Sequence, residues 1–220
     1  MAKGGLVYGV GVNDADYYIT KESVVDGKRV TIWRCPYYIR WCAMLGRCYS
    51  KKYHERQPTY KGCTVCEEWK YFSNFREWME QRNWQDRDLD KDFLSEGNKI
   101  YGPDTCVFIP SKMNAFIIAS SRAKGLYPIG VRYMNKSKGM INERAKPYRS
   151  VIRDQIGGRI NLGCYSTPEE AHQRYLVEKL KQCMDYIEEF KDEPLTIKGL
   201  TRIYNKIQYH IDNNLELTSF

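Results

Sequence analysis

Four consecutive residues, Thr167-Pro168-Glu169-Glu170, restrict the fold of this chain more than any other feature of its sequence. Threonine at an N-cap, proline at the first helical position and glutamate three residues on form a helix start. The hydroxyl and the carboxylate each take up a backbone N–H that the first turn leaves without a partner. The helix is expected to run to about residue 191. Just upstream lie three short strand candidates, IGVRYM, PYRSVIRD and RINLGCY, with Gly157-Gly158 as a tight turn between the last two. Alternate strand residues face opposite sides. Ser150 and Ile152 then share one face of the second segment, and Arg149, Val151 and Arg153 share the other. In the third segment Ile160 and Leu162 oppose Arg159 and Asn161; in the first, Val131 opposes Arg132 and Met134. One side of such a sheet can pack on the helix. The other presents Arg132, Arg149, Arg153, Arg159 and Asn161 to solvent.

Charge is concentrated in the same place. Residues 122–163 hold ten of the 35 Lys and Arg (Arg122, Lys124, Arg132, Lys136, Lys138, Arg144, Lys146, Arg149, Arg153 and Arg159) but only Glu143 and Asp154 of the 27 acids. The remaining 25 of each sign cancel, so the whole net charge of +8 sits in this stretch. A localised basic segment fits a polyanionic partner, because phosphates it neutralises release their condensed counterions.

The rest of the chain reads as a mixture of helices and short strands, an α+β composition. Residues 6–34 suggest strands GLVYGVGV, DYYI and SVVDGKRVTIW, with Asp26-Gly27 as a turn. Helices are expected over 37–49, where Ile39, Cys42, Met44, Leu45 and Cys48 recur, and over 67–82, where Trp69, Phe72, Phe75, Trp78 and Met79 form a core stripe. Beyond residue 89 come a strand, a long polar loop, a short strand over 106–109 and a helix over 111–120. A last helix over 197–213 carries Leu200, Ile203, Tyr204, Ile207 and Ile211. The joint at 121–127 and the break near Pro194 divide the chain into regions 1–121, 122–192 and 193–220.

GVRYM, YRSVIRD and GGRINLGCYSTPEEAHQRY together resemble the AP2 DNA-binding domain. The resemblance implies a three-stranded antiparallel sheet plus helix that reads double-stranded DNA with Arg132, Arg149, Val151, Arg153, Arg159 and Asn161. Val151 and Asn161 stand where plant members often carry Glu and Trp, so base preference does not transfer. Upstream, WCAMLGRCYSKKY, PTYKGCTVCEEWKYFSNFREWM, LDKDFLSEGNK and YGPDTCVFIPSKMN are similar to bacteriophage HNH endonuclease-like proteins that carry an AP2 domain behind them. This second resemblance implies a ββα-metal domain that hydrolyses DNA phosphodiesters with Mg²⁺ or another divalent cation. By position, Asp90 and Asn114 are its metal ligands, and Asp90, Lys91 and Asp92 its catalytic group. Lys91 occupies the place of the general-base histidine and Thr105 that of the middle asparagine. An ordinary lysine is protonated at neutral pH and takes no proton. Asp92 or His54 is the substitute for orienting water. The alternative is an inactive HNH scaffold that occupies DNA or binds a host protein.

Cys63 and Cys66 form a C-x-x-C, with Cys48 and Cys106 in neighbouring motif segments. A zinc site is one reading and a packed thiol cluster the favoured one. His172 and His210 are expected to be structural or superficial. No apolar run of membrane-spanning length occurs, and eight cysteines without a secretion signal lead to the expectation of reduced thiols in the cytoplasm.

Overall fold

The computed structural model describes residues 5–118, 126–134 and 144–220. The chain divides into two compact units, Met1–Phe108 and Ile109–Phe220. The joint expected at 121–127 lies outside the described residues, apart from Leu126 and Tyr127.

The first unit begins with a tight turn rather than the strand expected at GLVYGVGV. Val7 and Gly11 exchange both backbone hydrogen bonds, and the chain reverses through Tyr8 and Gly9, both at positive φ. The hairpin around Asp26-Gly27 forms as read: β1 (Thr20–Val25) pairs antiparallel with β2 (Lys28–Arg34). Helix α1 (Pro36–Tyr49) buries Trp41, Met44, Leu45 and Cys48 and leaves Ile39 exposed. Helix α2 (Lys51–Arg56) and β3 (Thr64–Val65) follow. The second expected helix starts late, as α3 (Phe72–Glu80) behind a short 3-10 turn over Glu68–Lys70. The cause is distant in sequence. Val12 donates to the Lys70 carbonyl and accepts from Phe72 N–H, which holds Tyr71 extended and postpones the first α turn. Trp41 donates its indole N–H to the Trp69 carbonyl at 2.7 Å, locking α1 to this junction. Trp69, Phe72, Phe75 and Met79 complete the core. Strands β4 (Arg87–Asp90) and β5 (Ile100–Tyr101) follow, and β6 (Val107–Pro110) runs across the division at Phe108; β3 pairs with β5 and β4 with β6.

The second unit contains α4 (Ser111–Ile118), β7 (Val131–Tyr133), β8 (Tyr148–Arg153), β9 (Arg159–Tyr165), α5 (Pro168–Glu189) and α6 (Pro194–Asp212). The three strands form one antiparallel sheet in the order β7-β8-β9. The capping box is present: the Thr167 hydroxyl accepts from Glu170 N–H at 3.2 Å, and the Glu170 carboxylate accepts from Thr167 N–H at 3.3 Å. Gly130 fixes how closely the sheet approaches α5. Its φ is +83°, and a Cβ there would overlap the Tyr175 ring.

His172 is structural, as expected. Leu217 N–H donates to Nε2 at 3.0 Å, so Nδ1 carries the proton and donates to the Ile129 carbonyl at 2.8 Å. Burial lowers its pKa below the ordinary 6.5. As pH falls, the unfolded chain therefore binds this proton before the folded one does. The stabilisation is complete above the unfolded value and is lost below it. Urea unfolding at about pH 7.5 and pH 5.5 should show wild type losing more stability across the step than His172→Asn, whose amide can keep a donor on Ile129. Equal losses would remove His172 from the account.

Candidate nucleic-acid interface

The register of the sheet decides which side chains meet. Arg132 lies directly opposite Arg149, Val151 opposite Asn161, and Arg153 opposite Arg159. Directly opposed residues share a face, so all six stand on one side. The other side carries Ser150 opposite Val131 and Gly163, and Ile152 opposite Ile160. Ser150 and Ile152 are buried there, on the face towards α5. A bulge between Ser150 and Val151 makes Leu162 the extra residue on β9, and Gly163 beside it sits at φ +115°. The bulge reverses the alternation past Leu162, and Cys164 thereby comes opposite Arg149. Strict alternation would have put Cys164 on the helix side.

Arg132, Arg153, Arg159 and Asn161 are exposed, whereas Arg149 and Val151 are half-buried. Two arginine pairs thus sit side by side, an arrangement that costs each pair a few tenths to about 1 kcal/mol in the free protein. Among the described residues no carboxylate forms an ion pair with any of the four. The Nε of Arg149 is buried and lacks a hydrogen-bond partner among them. Asp154, the nearest acid in sequence, has its Oδ1 taken by the turn, accepting from Ile156 N–H at 3.0 Å and Gly158 N–H at 2.7 Å. Of the basic stretch, Arg122, Lys124, Lys136 and Lys138 lie outside the described residues, as does Glu143.

The residues assigned to metal chemistry have different surroundings. Asp90 ends β4, and its Oδ1 accepts from Asp92 N–H at 2.9 Å and Phe93 N–H at 2.7 Å. Burial, then the adjacent Asp92 carboxylate, raise its pKa. Lys91 is only 5% exposed; its ammonium donates to the Asn98 carbonyl at 2.8 Å and pairs with Asp92 at 2.9 Å. Asn98 returns the contact, donating to the carbonyls of Lys91 and Ile100, each at 2.8 Å. These bonds make residues 90–98 a self-stapled loop. Asn114 stands on α4, in the second unit. His54 bonds the Arg47 carbonyl at 2.8 Å, and Thr105 donates to the Ile100 carbonyl at 2.8 Å. The ammonium of Lys91 already lies against Asp92, where a divalent cation needs oxygen donors. This donor set does not fit Mg²⁺ well.

Cys48, Cys63 and Cys106 are buried and electrostatically close, and burial pushes the Cys48 and Cys106 thiols up to about 12. Cys48 and Cys106 are therefore neutral thiols rather than thiolates at neutral pH. Among the described residues no three His, Cys, Asp or Glu side chains converge as a metal-binding group.

Two polar residues escaped the reading of the sequence. Lys179 and Gln182 lie on the buried face of α5 among Tyr175, Leu176, Cys183 and Tyr186. Their signal was a lysine and a glutamine at the spacing of an otherwise apolar stripe. Among the described residues no helix is long and apolar enough to cross a membrane. Comparison with protein-family models, curated proteins and solved structures finds no match to this chain.

Proposed function

We propose that the protein binds double-stranded DNA by laying the arginine face of the β7-β8-β9 sheet against a groove. The observation that carries this reading is the pair of opposed arginine couples, Arg132 with Arg149 and Arg153 with Arg159, none of them ion-paired with a carboxylate among the described residues. Such a surface is unfavourable alone and is relieved by a polyanion, whose phosphates accept from several guanidinium groups at once. Sheets and β-ribbons are among the elements that enter DNA grooves. Val151 and Asn161, opposite each other between the two couples, are positioned to meet base edges while the arginines hold the backbone. The sheet followed directly by α5 supports reading this unit as AP2-like.

The first unit is read as an HNH-like scaffold that does not cleave. Lys91 supports this, because its amine staples the loop and is not placed as a base. The protein therefore occupies DNA rather than cutting it.

The test is fluorescence anisotropy with a labelled duplex at salt concentrations from about 50 to 200 mM. Four arginine–phosphate contacts predict a slope of log K against log salt of about −3.6. The same duplex incubated with Mg²⁺ should remain intact on a denaturing gel. A salt-independent affinity contradicts the electrostatic reading, and metal-dependent strand breaks contradict the non-cleaving one.

A further inference from the structure

Within the second unit a cavity of about 690 Å³ opens beside β8. It follows from the shortness of β7, which pairs only with Tyr148–Ser150 and leaves the β8 edge beyond Val151 without a neighbouring strand. Gln182 closes part of that edge, donating to the Arg153 carbonyl at 2.7 Å. The remainder is walled by α4 and α5. Phe116, Ile152 and Tyr175 supply its apolar and aromatic lining, while Arg132, Arg153 and Arg159 border it on the arginine face. Lys179 lines it from α5, its amine 3.5 Å from the centroid of the Phe116 ring. It is 3% exposed, its amine donates to the Phe116 carbonyl at 2.7 Å, and among the described residues no carboxylate pairs with it.

Binding sites for small organic ligands have this make-up: roughly 300–1,000 Å³, apolar and aromatic walls, and a few convergent polar groups. Two selections follow from the chemistry. The surplus of cations favours an anion, with Asp154 the only acid on the lining among the described residues. The aromatic walls favour a flat ring, and the Lys179 amine, whose pKa burial lowers to about 7, and the Gln182 amide are N–H donors suited to the carbonyl and nitrogen acceptors of a base edge.

We propose that this cleft binds a nucleoside monophosphate, with its phosphate at Arg153 and Arg159 and its base against Phe116 and Tyr175. The nucleotide is one turned out of the duplex lying on the sheet, so its source rests on the DNA-binding reading. A free mononucleotide offers the same chemistry and is the other source. Turning a base out of the stack has an unstacking cost, which a fitted pocket and guanidinium contacts to its phosphate offset.

Two probes and two variants test the proposal. Ala115, exposed on α4 and lining the cleft, is replaced by tryptophan to fill it; Lys179→Met removes the deep amine with little change in volume. Thermal melts establish that each variant folds. The first probe is a duplex containing a fluorescent adenine analogue, whose emission rises on unstacking. The second is a fluorescent adenosine monophosphate analogue, followed by anisotropy. For wild type, a rise in duplex emission that Ala115→Trp abolishes while duplex affinity stays within about threefold supports the proposal with the strand as source. Saturable binding of the free analogue, weakened about tenfold in Lys179→Met, supports it with the free nucleotide as source. Duplex binding with neither signal overturns the cleft proposal and leaves the sheet reading intact. Failure to bind duplex sinks the sheet reading alone; the free analogue then decides the cleft, and no binding of it overturns the proposal.

Discussion

Replacing Arg153 and Arg159 together by alanine will weaken duplex binding by about a hundredfold or more, since two charge-assisted contacts contribute roughly 3 kcal/mol. The same substitution will leave thermal stability unchanged or slightly raised. The two guanidinium groups oppose each other across β8 and β9, are exposed, and form no ion pair among the described residues. Removing them relieves a like-charge pair and takes away no fold-stabilising bond. Opposite signs in the two measurements separate a binding surface from a structural one. If the variant instead melts well below wild type, the arginines hold the fold and the interface assignment is wrong. Single changes should divide by role. A phosphate-contacting arginine loses affinity equally on all duplexes, and a base-reading side chain, with Asn161 the leading candidate, loses it selectively.

The second large effect concerns the loop assigned by resemblance to catalysis. Lys91→Ala will destabilise the first unit by about 3 kcal/mol, because it strands the Asn98 carbonyl and leaves the Asp90 and Asp92 carboxylates without their counter-charge. Tryptophan fluorescence is a selective reporter here, since all five tryptophans (Trp33, Trp41, Trp69, Trp78 and Trp84) belong to the first unit. Urea unfolding followed at that signal should show an earlier midpoint. Lys91→Met should be nearly as damaging, since side-chain volume without the ammonium satisfies none of these partners. A lysine that served only as a proton acceptor would leave the midpoint where it was, and that result would reverse the assignment.

What could be read from the sequence was local. The Asp26-Gly27 hairpin and the Thr167 capping box depend on residues within a few positions of one another, and both form as expected. The shared face of Arg149, Val151 and Arg153 also follows from alternation along a single strand. Distant contacts were not legible. The late start of α3 is caused by Val12, some sixty positions upstream of Phe72. The bulge at Leu162 changes which side Cys164 occupies, and neither composition nor periodicity marks it. Lys91 illustrates the same limit at the site. The HNH resemblance puts it at the general-base position, and its reciprocal bonds with Asn98, seven residues on, are not marked by any local pattern. A charged residue's role is set by what the fold brings to it.

Chemical footprinting of arginines reads the central claim most directly. Phenylglyoxal modification, located by peptide mass spectrometry with and without saturating duplex, reports each exposed guanidinium separately. Arg132, Arg153 and Arg159 should become protected together when duplex is bound, while Arg56, exposed in the first unit, continues to react. Undiminished reaction at the three sheet arginines in a demonstrably bound complex would contradict the account.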